Sequence, residues 1–242
     1  MNDRKPLLRD ASGAGLLLSF LCALITLGVL QAGYPFFVVP GEYHIGMSET
    51  DEVRMALVHQ TEIVDRKNAM TIFAVGGALL GASLALIAGG CCTSPVRGFI
   101  GLAWGAFWGL MTGAVGAYAQ SIIVPRGSFP SVTNTGLSQA VTFGLFAAGL
   151  GLMVGGFRKN ATSVLTNALT AALAGGIGGL LVSIISGFVA DSQNSSQLIP
   201  PGPISQFLWL TIPFSAIGFS LSRGMTPATA ESIELVNPAD TL

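Results

Sequence analysis

Charged residues are scarce in this sequence, and their scarcity excludes most soluble folds. Only 10% of the 242 residues are Asp, Glu, Lys or Arg, whereas ordinary soluble domains contain about 25%. Hydrophobic residues make up 51% of the chain, and the long apolar runs reach the roughly 20 residues that a helix needs to cross a bilayer. A formal net charge of −1 offers no basic surface for nucleic acid. The sequence therefore predicts an integral membrane protein that does not bind nucleic acid.

Cysteine and histidine are also rare, which limits disulfide, metal and haem chemistry. The three cysteines are Cys22, Cys91 and Cys92, and the last two are neighbours in sequence, so they do not form a disulfide framework. His44 and His59 lie outside the apolar runs and lack the spacing of a known metal site. We expect no bound metal and no cofactor.

The interiors of the apolar runs contain no Asp, Glu, Lys, Arg or His. Proton relays, ion-coupled carriers and many intramembrane catalysts depend on ionisable groups at that depth. The sequence also has no Gly-x-Ser-x-Gly motif, and no spacing of Ser, His and Asp indicates a catalytic triad. We therefore expect that the protein is not an enzyme.

The apolar runs predict a single membrane domain, residues 1–242, with six spans. These are 13–33, 69–90, 98–123, 137–157, 162–190 and 204–222. We expect a cytoplasmic tail over 1–12 and a flexible tail over 223–242. In the loop 34–68, charged and apolar residues at helical spacing predict an amphipathic helix over 49–67. That helix is expected to lie on the membrane, to dock on loops of the same chain or to face a partner.

Lys and Arg near the span ends favour cytoplasmic N- and C-termini. In this orientation seven of the 11 Lys and Arg residues flank the cytoplasmic ends of the spans. Arg66 and Lys67, directly before the second span, lie on the other side and count against it. We predict a plasma (inner) membrane protein with both termini inside.

Small residues recur at every fourth position of the predicted spans, which predicts close helix packing. On a helix they form a ridge almost without side chains, along which another backbone approaches closely in lipid. In water each such glycine would cost about 1 kcal/mol relative to alanine. We predict packing interfaces at Gly77, Gly81, Gly101, Gly105, Gly109, Gly113, Gly175 and Gly179. The predicted fold is an all-α bundle packed through these stripes of small residues.

A shift of 66 residues aligns the sequence with itself. It places LIAGG (86–90) on LMVGG (152–156), and Gly109 and Gly113 on Gly175 and Gly179. This predicts two duplicated helical hairpins, 69–123 and 137–190, related by a pseudo-two-fold axis along the membrane normal. The alternative is chance similarity between Gly- and Ala-rich sequences.

Neutral polar side chains do lie at depth, and Asn167 is the most notable. An interhelical hydrogen bond of Asn167 would contribute about 0.6–2 kcal/mol in lipid. Alternatively, Asn167 and the Thr170 hydroxyl belong to a polar path for a solute. The other polar residues at depth are Thr112, Tyr118, Gln120, Gln139, Thr142, Thr166, Ser183 and Ser186.

Together these patterns predict an architecture more sharply than a function. The leading hypothesis is a non-catalytic assembly or scaffold subunit, because surplus glycine ridges would accept helices from other membrane subunits or from a second copy. The alternative is a channel or facilitator for a small neutral solute or ion, lined by neutral side chains or backbone carbonyls. In either case the lipid bilayer is an obligatory partner.

Overall fold

The computed structural model of this chain is an antiparallel bundle of helices. It describes residues 11–41, 51–89, 95–123, 132–156, 161–189, 199–200 and 202–223, and these include no strand. The six helices are α1 (Ala11–Gly33), α2 (Asp51–Gly89), α3 (Pro95–Ile123), α4 (Val132–Gly156), α5 (Ala161–Val189) and α6 (Pro203–Arg223). All six are long and apolar enough to span a membrane. The predicted all-α membrane protein with six spans is confirmed at this level.

Helix α2 differs most from the predicted boundaries. It contains 39 residues, which corresponds to about 58 Å at 1.5 Å per residue, whereas the hydrocarbon core of a bilayer is about 30 Å thick. The amphipathic helix predicted over 49–67 and the span predicted from residue 69 are therefore one continuous helix, with no proline inside it. We call residues 51–67 the arm, because they extend the helix beyond the apolar part of the bundle.

Acidic residues favour the start of the arm. Asp51 and Glu52 occupy the first turn of α2, where negative charge interacts favourably with the helix dipole. Ser48, predicted to cap this helix, lies outside the described residues, as do most of both predicted tails. His44, Cys91 and Cys92 lie outside them as well.

The six helices form a closed ring in chain order, from α1 round to α6. Helices α2, α4 and α6 also contact one another across the centre, whereas in the described ranges α1, α3 and α5 contact only their ring neighbours. Buried residues accordingly make up 61% of the α4 span and 56% of the α6 span, against 17% for α3 and 33% for α1. The bundle therefore has three inner and three outer helices.

Aromatic rings fill the space where the three inner helices meet. Phe73 of α2, Phe143 of α4 and Trp209 of α6 form a triangle with ring centroids 5.2, 5.2 and 6.0 Å apart. Phe146 and Phe214 lie next to this triangle, with their centroids 5.8 Å apart. Tilted and edge-to-face pairs of this kind contribute about 0.5–1.5 kcal/mol each beyond the area that they bury. The centre of the bundle at this level is a packed core.

Glycine brings the backbones of α2 and α3 into direct contact. A Cβ atom added to Gly77 or to Gly109 would overlap the carbonyl oxygen of the other residue. Gly81 and Gly105 face each other in the same way one turn along, and Gly113 lies against the α2 backbone one turn in the opposite direction. These five residues fix an antiparallel register between the two helices. They also leave no room for a larger side chain.

We expect Gly109→Leu to lower the free energy of unfolding by about 3 kcal/mol, because the new side chain would push α3 away from α2. Gly101→Leu is the matched control, since a Cβ atom at Gly101 meets no described atom within 4 Å. The measurement is unfolding of the purified chain in mixed detergent micelles. Equal stability of the two variants would show that α2 and α3 do not pack in this register.

Candidate functional site

The structure places most of the predicted packing positions inside the chain. Beside the glycines between α2 and α3, a Cβ atom at Gly175 would overlap the carbonyl oxygen of Phe143. A Cβ atom at Gly179 would lie 2.5 Å from the carbonyl oxygen of Gln139. Gly101 takes no part in such a contact with any described residue. The ridges that we expected to be free for partner helices are thus occupied by helices of the same chain.

The hairpins α2–α3 and α4–α5 share one register. Gly113 faces the carbonyl oxygen of Phe73 in the first, and Gly179 faces that of Gln139 in the second. Both members of the second pair lie 66 residues after their counterparts in the first. The next turn repeats this match.

The two residues of the predicted polar path lie in different surroundings. Asn167 is 8% exposed, and its backbone carbonyl packs against Gly151 of α4. Its Nδ2 atom has no hydrogen-bond partner in the part of the chain that the structure describes. Thr170 is exposed, and its hydroxyl donates to the carbonyl oxygen of Thr166 at 2.7 Å. The structure therefore does not bring these two side chains together.

A layer of amide side chains lies at one end of the bundle. Helices α1, α3 and α5 end there and α2, α4 and α6 begin there; we call this end the arm face, because the arm projects from it. Five helices each contribute one carboxamide to this layer, and four of the five are at most 8% exposed. The carboxamide layer consists of Gln31, Asn68, Gln120, Gln139 and Gln206.

Hydrogen bonds join members of this layer to neighbouring helices. The indole N–H of Trp209 donates to Oε1 of Gln139 at 2.8 Å, which connects α6 with α4. Gln31 donates to Oε1 of Gln206, which connects α1 with α6. Gln120 differs, because its buried Oε1 has no partner among the residues described. A buried acceptor without a donor costs about 1–3 kcal/mol, which makes Gln120 the unusual member of the layer.

Asn68 fixes the segment that follows α1. Its Oδ1 accepts a hydrogen bond from the Phe37 N–H at 2.9 Å, and its Nδ2 donates to the Phe37 carbonyl at 3.0 Å. Nearby, burial and, to a lesser degree, the charge of Asp65 raise the pKa of Tyr34. The Tyr34 phenol therefore remains a neutral hydrogen-bonding group. These contacts hold residues 34–41 against the base of the arm.

The arrangement supports binding and packing of neutral polar groups more than chemistry. Within the described ranges, no group of three or more His, Cys, Asp or Glu residues could hold a metal ion. His59 is exposed on the arm. Sγ of Cys22 lies 3.1 Å from Oγ of Ser83, a contact between α1 and α2.

Sequence reasoning missed Gln31, Asn68 and Gln206 as members of a common layer. Each lies near the end of a predicted span, where a polar residue is expected on its own account. A signal was nevertheless available, since consecutive spans run in opposite directions. Sorting the span ends by side of the membrane places all five carboxamides at the same face.

Comparison with known proteins does not supply a function for this site. No protein family, no characterised protein and no solved structure matches the chain. The function must therefore be argued from the geometry of the chain itself.

A double-mutant cycle tests the bond between Gln139 and Trp209. We expect Gln139→Leu and Trp209→Phe to be coupled by about 0.6–2 kcal/mol, because either change removes the same interhelical hydrogen bond. The measurement is the free energy of unfolding in detergent for the wild type, both single variants and the double variant. Additive effects of the two substitutions would mean that the bond does not form.

Proposed function

We propose that this protein is a non-catalytic membrane subunit that holds a partner protein in a complex, with the arm as its docking element. The observation that carries this proposal is the continuity of α2. Its first 17 residues, 51–67, prolong a membrane-spanning helix by about 26 Å. A helix anchored in this way is rigid where it leaves the bundle. It would position a partner at a fixed distance from the membrane.

The surface of the arm supports docking of a protein. Met55 is 71% exposed and Val58 is 54% exposed, and their spacing places them on adjacent turns of one helix face. Exposed charged residues, among them Glu52 and Arg54, lie beside this apolar pair. An apolar centre with a polar rim is typical of protein–protein contacts.

The outer face of α3 offers a second, membrane-embedded surface for a partner subunit. This helix turns its glycines towards α2 and α4 and its large side chains outwards. The exposed residues on the outward face include Ile100, Trp104, Phe107, Met111, Val115, Tyr118 and Ile122. In an isolated chain they contact lipid, and in a complex they would contact a helix of the partner.

Two finer parts of the architecture belong to this proposal. The first is that α2–α3 and α4–α5 arose by duplication, which the shared register at an offset of 66 residues supports. The second is that both termini are cytoplasmic, which follows from the distribution of Lys and Arg. The arm would then stand on the non-cytoplasmic side of a plasma (inner) membrane.

A channel or facilitator for a small neutral solute or ion is the second proposal. The carboxamide layer favours it, because amides from several helices would line a polar entrance at the arm face. The aromatic triangle of Phe73, Phe143 and Trp209 weighs against it, because these rings occupy the axis just beyond Gln139. Solute flux into vesicles that contain only this chain, increased by Phe143→Ala, would favour the channel over the scaffold.

The docking role of the arm is tested by substituting its exposed apolar pair. We expect the combined variant Met55→Glu and Val58→Glu to lose the partner, because two carboxylates would replace the apolar centre of the contact. The measurement is gentle-detergent purification from native membranes, followed by mass determination of the intact assembly. Wild-type protein should retain stoichiometric subunits that the variant lacks.

Ala56→Glu provides the matched control. Ala56 is also exposed, but it lies more than a quarter-turn away from Met55 and Val58 on the helix. This variant should keep the partner, and all three proteins should unfold at the same temperature. Wild-type protein that purifies as a lone monomer would contradict the proposal.

A further inference from the structure

Two adjacent cations occur where the charged arm meets the apolar part of α2. Arg66 and Lys67 come immediately before Asn68 and Ala69, which are both buried in the bundle. With the bundle in a bilayer, this level corresponds to the lipid headgroups rather than to the hydrocarbon. The two residues also lie on the side of the membrane that the overall distribution of Lys and Arg leaves less basic. Their position therefore calls for a local explanation.

Each cation lies next to an exposed aromatic ring from a neighbouring element. Cζ of Arg66 lies 5.6 Å from the ring centroid of Tyr118 on α3, and Nζ of Lys67 lies 5.9 Å from that of Phe37. Tyr118 is 45% exposed. Aromatic rings of this kind are common at the headgroup level of membrane proteins. The cations and rings together form one surface that spans α2, α3 and the segment after α1.

The hydrogen-bonding capacity of this surface is not used up. Nε of Arg66 is buried and has no hydrogen-bond partner among the described residues. The register between α2 and α3 places Arg66 at the level of Gln120, whose Oε1 likewise has no described partner. A donor and an acceptor thus remain available at the same depth.

The neighbouring carboxylates do not account for both cations. Glu62 lies one turn before Arg66, farther along the arm from the bundle, and it has an interaction of its own. Asp65 also has one, and its charge acts on Tyr34, near the end of α1. Lys67 is exposed and lies closer to the bundle than either carboxylate.

We propose that Arg66 and Lys67 bind the phosphate of an anionic phospholipid in the leaflet at the arm face. The arginine fork matches two phosphate oxygens, and the lysine adds a compact positive charge. A headgroup that also carries a hydroxyl, as in phosphatidylglycerol, supplies a donor for an acceptor such as Gln120. This inference rests on the membrane bundle and is independent of the scaffold proposal.

Lipid titration of the purified full-length chain tests the site. Phosphatidylglycerol or phosphatidylcholine is added to the chain in mild detergent, and bound lipid is counted by native mass spectrometry. We expect one phosphatidylglycerol to be retained preferentially. The double variant Arg66→Gln and Lys67→Gln should bind it about tenfold more weakly, the equivalent of losing one strong charge-assisted contact.

Arg54→Gln is the matched control, because Arg54 is an exposed cation on the arm three turns farther from the bundle. It should bind phosphatidylglycerol as the wild type does. Lys67→Gln alone, at an exposed position, provides a variant that should fold even if the double variant is unstable, and it should also bind more weakly. Equal retention of the two lipids by the wild type, or unchanged binding by the double and single variants, would overturn the proposal. Competition by inorganic phosphate at equal affinity would overturn the assignment to a lipid.

Discussion

Direct contact between helix backbones at glycine is the constraint on which the bundle depends. In lipid, apolar side chains gain little by moving from acyl chains to another helix, so association relies on close packing. The Gly77–Gly109 contact satisfies this requirement between α2 and α3, and Gly218 does so between α6 and α1. Between α5 and α6, a Cβ atom at Gly178 would lie 2.9 Å from Cα of Pro213. Close contact thus extends to outer helices that bury little of their own surface.

The same constraint sorts the large and the polar side chains. Because glycine occupies the helix contacts, aromatic residues collect at the centre of the three inner helices or face outwards, as Trp104 does. Polar side chains collect at the arm face, where up-and-down connectivity places the relevant ends of five helices together. Gln139 is the deepest of these carboxamides along its helix and is held by Trp209. The bundle therefore has one apolar interior and one polar end, from which the arm projects.

Helix number and membrane character could be predicted because length, apolarity and lack of charge are local properties of the sequence. The continuity of the arm with α2 could be inferred only in part, since no proline or glycine marks a boundary near Asn68. The difference between Gly105 and Gly101 could not be predicted. Spacing identifies a stripe on one helix, whereas crossing helices stay in contact over only part of their length. The carboxamide layer likewise depends on which span ends share a side.

Disulfide cross-linking between α2 and α3 tests most directly whether the glycine contacts are formed within one chain. Ala69 and Ala117 are both fully buried, and the α2–α3 register places them opposite each other. In a chain whose native cysteines are replaced by serine, Ala69→Cys and Ala117→Cys should form a disulfide within the monomer when oxidised in native membranes. A disulfide that forms only between two chains would contradict this account and would return the glycine ridges to partner helices.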